Sequence, residues 1–182
     1  LAKWLPSENA SSLETKRLGN LTRTYLNMSH KQYRKTLSIL RERINIVERL
    51  MSEGRWDEIE FDKIPSKAGL KYRNAFARKD ILKERYKTFM TSENTTVNAK
   101  ALYPYDVVHN AIEEMDGYWG ANPDNIDAVQ RAALNKYWDN LADYIQGKVF
   151  NGMAVVDTSG SMYGRPMEVA VSLGMYCAEK AQ

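Results

Sequence analysis

One cysteine, Cys177, stands in 182 residues. A lone thiol excludes an internal disulfide framework and a zinc knuckle, and it suits a reducing compartment. Histidine is almost as scarce, with only His30 and His109. Neither belongs to a metal-spaced cluster such as His-Glu-x-x-His. His30 reads as a first-turn surface residue and His109 as a partly buried helical one. No apolar run approaches the roughly 20 residues that span a bilayer, so no membrane partner is expected. The start, Leu1-Ala2-Lys3-Trp4-Leu5-Pro6, lacks the apolar stretch of a signal peptide. The expected location is cytoplasmic. No initiator Met is present, and the chain is expected to be a piece of a longer one or a processed form. Carboxylates are plentiful, as at Glu113, Glu114 and Asp116, but adjacent acids on a helix are usually solvated. No nucleophile–base pair is readable, so a non-enzymatic protein is expected.

Hydrophobic residues at 43% and charged residues at 27% are those of a globular chain. The net charge of +3 hides an asymmetry. Residues 1–100 carry 21 Lys+Arg against 12 Asp+Glu, and residues 101–182 carry 5 against 11. A basic first half attracts phosphate and an acidic second half resists it. A solvated helical surface rich in Lys and Arg explains the same counts.

Residues 1–147 read as a helical domain. Ser11 or Ser12 caps a first helix, with Leu13, Leu18, Leu21, Tyr25 and Leu26 as its apolar contacts. Ser29 caps a second, whose stripe of Tyr33, Leu37, Leu40, Ile44, Val47 and Met51 runs unbroken to Gly54. Trp56 to Ile64 reads as extended or loop. Pro65 opens a third helix and Asp80 caps a fourth. That pair forms an αα-hairpin, the unit of helical-repeat proteins such as HEAT arrays. Ser92 to Asn98 is a loop, and a short helix follows Tyr103-Pro104-Tyr105-Asp106. After a break at Gly117 to Pro123, Asp124 caps a last long helix that Gly147 stops.

At 148 the pattern changes. Lys148 to Val156 is short, apolar and partly β-branched, and reads as a strand buried on both faces. A loop from Asp157 to Arg165 and a Pro166-initiated helix complete half of a βαβ unit. Residues 148–182 are therefore expected to begin a second, α/β domain. Asp157, Ser159 and Ser161 stand at i, i+2 and i+4 after the strand end, where open α/β sheets bind ligands. One carboxylate and two hydroxyls are hard oxygen donors that suit Mg²⁺. Gly160 is expected to let the backbone turn so that both hydroxyls face one point. The competing reading is a Ser-rich turn that caps the next helix, which does not require the aspartate. Gly160 and Gly164 are too close for a P-loop. Gly160-Ser161-Met162-Tyr163-Gly164 lacks the nucleophile-elbow spacing.

At these residues the chain resembles a known family. Val155-Val156-Asp157-Thr158-Ser159-Gly160-Ser161-Met162 is similar to the metal-ion-dependent adhesion site (MIDAS) of von Willebrand factor A domains. The preceding part resembles the TROVE module of the Ro autoantigen family. It is closer still to uncharacterised TROVE-like proteins of bacteria, phages and plants. The matching stretches are Tyr33-Arg34-Lys35 with Leu37, Val47-Glu48 through Met51 and Trp56, Pro65-Ser66-Lys67-Ala68 with Lys71-Tyr72, and Asn98 to Pro104. The resemblance implies a mostly α fold: a helical-repeat-like bundle, HEAT- or TROVE-like, followed by the first strand and helix of a truncated von Willebrand A domain. It implies direct Mg²⁺ ligation by Ser159 and Ser161, with Asp157 acting through water. A Thr and an Asp from later loops complete the family's site and would lie beyond Gln182, so Mg²⁺ is expected with the complete domain.

The resemblance also implies an RNA-binding helical module, with structured or non-coding RNA as the expected partner. Candidate nucleic-acid-binding residues are Lys31, Arg34, Lys35, Lys67, Lys71, Arg78, Lys79 and Lys83, interleaved with Tyr33, Tyr72, Phe76 and Tyr86. Cations hold phosphates and aromatics stack unpaired bases. Equally, the aromatics can be core and the cations can simply face water. The alternative function is a metal-dependent protein-interaction module with no RNA role.

Overall fold

The computed structural model describes residues 4–44, 46–117, 122–146 and 151–181. Among them stand eight α-helices and no β-strand: α1 Leu13–Tyr25, α2 His30–Arg43, α3 Val47–Ser52, α4 Ser66–Arg78, α5 Asp80–Thr91, α6 Pro104–Glu114, α7 Ala128–Asp139 and α8 Arg165–Lys180. The chain divides into two compact units, Leu1–Ile59 and Glu60–Gln182.

In the first unit, Ser12 caps α1 through Thr15 N–H. Ser29 caps α2 in a reciprocal box with Gln32. The single long helix expected to Gly54 is instead two, α2 and α3. The join contains Ile44, Ile46 and Val47, whose β-branched side chains are stiff against a preceding helical turn. Tyr33, Leu37, Val47 and Leu50 are buried. The stripe on α1 is not core: Leu13 is 79% exposed and Tyr25 90%. What α1 packs closely is Gly19, where a Cβ would meet the backbone of Ser7 and Glu8.

The second unit is built on the α4/α5 hairpin. Residues 56–64 are expected to be extended or loop; the part in the first unit holds a 3-10 turn at Trp56–Glu58, and the part in the second holds one at Phe61–Lys63. Phe61 packs its ring on Phe76, Tyr86 and Phe89 at centroid distances of 5.7, 5.2 and 5.3 Å. Tyr86 is fully buried, its hydroxyl has no hydrogen-bond partner among the described residues, and burial pushes its phenol far above the ordinary range. Removing an unsatisfied buried hydroxyl costs no bond. Tyr86→Phe should therefore leave stability unchanged or raise it by up to about 1 kcal/mol in chemical denaturation. A loss of that size would show that the hydroxyl is bonded after all.

Gly69 of α4 sits under Tyr137 of α7, and a Cβ there would strike the phenol. The C-terminus of α5 is closed by Lys136 of α7. Its ammonium donates to the carbonyls of Ser92 and Thr95 and to the Thr95 hydroxyl, the last at 2.7 Å. A cation at a helix C-terminus is favoured by the partial negative charge of the macrodipole there. Burial lowers the Lys136 pKa, and Asp139 partly offsets this. The cap of α7 is Asp127, which accepts from Val129 and Gln130 N–H, rather than the expected Asp124. Asp124 lies instead in a 3-10 turn, Pro123–Asn125. The expected stop at Gly147 lies outside the described residues.

The strand expected over 148–156 does not form in its described part. Residues 151–156 have no regular structure, and Met153 and Val155 are 85% and 86% exposed. No strand stands among the described residues to pair with them, and an unpaired strand leaves its N–H and C=O groups without ladder bonds. Residues 148–150, and with them the boundary at 147/148, lie outside the described residues. Val156 packs on Gly174 of α8, where any Cβ would collide with it.

Helix α8 packs along α6 in the same unit. Glu168, buried within α8, accepts or pairs with His109 Nδ1 at 2.9 Å, and His109 Nε2 lies 3.3 Å from Glu113. Trp138 Nε1 donates to Glu179 at 2.6 Å. Tyr144 N–H donates to the Tyr176 hydroxyl at 2.9 Å. On its other side α6 is tied to α4 by Arg73. That buried guanidinium donates to the Leu70 carbonyl, to Asn110 and to Glu114 at 2.6 Å, and Asn74 reinforces Glu114 at 2.6 Å.

Candidate metal loop and basic surface

The loop from Asp157 starts where Val156 docks on α8 and ends at Gly164, just before α8 begins. Asp157 Oδ1 accepts the Ser159 N–H at 2.9 Å. That backbone bond, then the Ser159 hydroxyl, holds the Asp157 carboxyl below the usual carboxylate range, so it is charged at neutral pH. A 3-10 turn over Gly160–Met162 brings the Ser159 and Ser161 hydroxyls to 3.1 Å. All three side chains are exposed.

The turn that brings the two hydroxyls together does not depend on glycine at 160. Gly160 has no positive φ, and a Cβ on it would touch nothing within 4 Å. The glycine-dependent position is Gly164, at φ 84° and ψ −141°, a region essentially closed to other residues. Gly164 therefore sets the angle at which the loop hands over to α8.

Two oxygens bound cis to an octahedral Mg²⁺ at about 2.1 Å stand about 3.0 Å apart. The serine pair is close to that spacing, and Asp157, whose Oδ1 accepts from the Ser159 N–H, would add a charged oxygen beside it. The donor set fits one edge of a Mg²⁺ octahedron and leaves its remaining positions to water or to other ligands. No cluster of three or more His, Cys, Asp or Glu that could hold a metal stands among the described residues.

The eight candidate cations are all exposed. Lys31, Arg34 and Lys35 lie on α2 in the first unit. Lys67, Lys71 and Arg78 on α4, Lys79 at the turn and Lys83 on α5 lie in the second. Lys67 and Lys71 line one wall of a cleft of about 570 Å³, whose other wall presents Asp106, His109, Glu113 and Glu114 of α6. The aromatics read as interleaved with these cations are mostly core. Tyr33, Phe76 and Tyr86 are buried, and Tyr72 is half-buried with the Lys71 ammonium 5.2 Å from its ring centroid.

An exposed aromatic with a ring partner lies elsewhere. Tyr103, exposed, stacks with the half-buried Tyr105 with centroids 5.9 Å apart and planes at 11°. The Arg165 guanidinium covers Tyr105 at 5.0 Å and donates to its hydroxyl at 3.1 Å. Tyr-Pro-Tyr was visible in the sequence as a helix start. Arg165 lies 60 residues from Tyr105, and no local pattern joins them.

Among the described residues no helix is long and apolar enough to cross a membrane. The family model for a domain of unknown function, DUF2828, matches residues 1–149. An uncharacterised protein of Acanthamoeba polyphaga mimivirus is 33% identical over 195 residues, covering 98% of this chain and 32% of that protein. The chain thus spans 32% of the length of this curated relative. No solved structure matches it. With the family model covering residues 1–149 and this relative aligned along nearly the whole chain, the protein belongs to the DUF2828 family.

Proposed function

We propose that the protein is a non-enzymatic RNA-binding module of TROVE-like type, whose helical units hold the phosphates of structured RNA. The observation that carries this reading is the exposure of all eight cations, Lys31, Arg34, Lys35, Lys67, Lys71, Arg78, Lys79 and Lys83. Exposed cations are open to phosphates, and phosphate contacts, through the counterions they release, supply most of sequence-independent affinity. Because Tyr33, Phe76 and Tyr86 are core, these faces hold backbone rather than stacking bases. Replacing all eight by glutamine should reduce filter binding of a structured RNA at least a hundredfold while helical circular dichroism is kept. Undiminished binding by that variant would reject the reading.

The serine loop supports a second role. A hydroxyl pair at 3.1 Å beside a charged Asp157 is one edge of a Mg²⁺ site of von Willebrand A type, with Ser159 and Ser161 as ligands and Asp157 acting through water. In the longer protein such a site would present Mg²⁺ to the carboxylate of a protein partner. Chelation would then abolish partner capture and leave RNA binding by the helical units intact.

A further inference from the structure

We propose that Tyr103, Tyr105 and Arg165 form a stacking platform for an unpaired nucleobase. Three flat groups are clustered: the Arg165 guanidinium lies 5.0 Å from the Tyr105 ring centroid, and Tyr105 stacks with Tyr103 at 5.9 Å with an interplanar angle of 11°. Tyr103 is 55% exposed while its neighbour Tyr105 is half-buried, so the open ring surface of the pair is on Tyr103. A nucleobase is the planar group that extends such a stack, and base–aromatic stacking tolerates any sequence because every base has a π-face.

The platform is held before any ligand arrives. The Tyr103 N–H donates to Asp106 at 2.9 Å, which fixes the backbone of Tyr103 to the first turn of α6. The preceding Leu102 is fully buried, and its carbonyl accepts from the Tyr144 hydroxyl at 3.0 Å. Pre-ordering of this kind lowers the entropy cost of binding. Arg165 is in turn placed by Gly164, whose backbone only glycine adopts readily. What selects a single strand over a duplex is base access: an unpaired base offers its face to the ring, whereas the bases of a duplex are already stacked and paired.

This platform rests on the RNA-binding reading but uses none of its eight cations, so the two separate by experiment. A fluorescently labelled single-stranded oligoadenylate, the matching RNA duplex and free AMP are titrated into the full chain and followed by anisotropy or competition. Tyr103→Ala should weaken single-strand binding about tenfold and leave duplex binding unchanged. Tyr103→Trp should restore it, and Arg165→Ala should weaken it by a smaller factor. Competition by AMP at micromolar concentration would identify a free nucleotide as the source of the base, and competition by the strand alone would identify RNA. Single-strand affinity that is the same in Tyr103→Ala and wild type overturns the platform and leaves the tyrosines to protein contact. Binding of duplex alone by the wild type overturns the platform while RNA binding stands, and binding of neither removes both.

Discussion

Raising the salt from 50 to 200 mM should weaken the binding of structured RNA by at least about a hundredfold. Each phosphate neutralised by a Lys or Arg releases condensed counterions, and the logarithm of affinity falls by roughly 0.7 to 0.9 per contact for each decade of salt. The unit Glu60–Gln182 alone presents five of the candidate cations, Lys67, Lys71, Arg78, Lys79 and Lys83. Five contacts give a fall of about a hundredfold to several hundredfold over that fourfold change. Lys31, Arg34 and Lys35 on α2 steepen it if the same RNA reaches them. A filter-binding titration at four or five salt concentrations gives the slope directly. A slope near zero would mean that the cations only solvate the surface.

Replacing Arg73 by alanine should cost about 3 kcal/mol, lowering the melting temperature by around 10 °C. The Arg73 side chain is 5% exposed and Glu114 20%. Truncation removes the donors to Leu70, Asn110 and Glu114 together and leaves the Glu114 carboxylate with Asn74 as its remaining partner. Breaking a buried pair from one side is costly because an uncompensated charge stays behind. Glu114 is partly hydrated, so the loss stands at the lower end of that class. The double variant Arg73→Met with Glu114→Gln should lose less than Arg73→Ala, since it removes the stranded charge. Because Arg73 joins α4 to α6, and α6 carries both the Tyr103 platform and the α8 contact at His109–Glu168, the single variant should also loosen that face. If Arg73→Ala changed stability by less than about 1 kcal/mol, the bridge would be a surface pair in all but burial.

Local signals carried much of the helical architecture. Ser12, Ser29 and Pro65 mark their helix starts because a side-chain oxygen or a missing N–H acts within one turn. Asp127 displaced Asp124 as a cap because Pro123 starts a 3-10 turn first, a choice between two similar residues that spacing does not decide. The periodic stripe through Ile44 and Val47 hid a helix break, since apolar periodicity can continue across a join. The stripe on α1 has the right spacing and remains exposed, because periodicity marks a face and not its partner. Apolar content made 151–156 read as a strand, yet a strand also needs a neighbour. At the candidate sites, the Asp157–Ser159–Ser161 loop was legible because its contacts span two residues. The glycine-dependent backbone stands at Gly164 and not at Gly160, since φ is a property of the fold. The Tyr103–Tyr105–Arg165 cluster and the Arg73 bridge were not legible, because their partners meet across 60 and 41 residues.

The most direct test of the RNA-binding account is the salt titration of structured-RNA binding run on the wild type and on the eight-cation glutamine variant side by side. The account predicts a steep slope for the wild type, and for the variant a weak affinity with a slope close to flat. Equal affinities and equal slopes for the two proteins would contradict it.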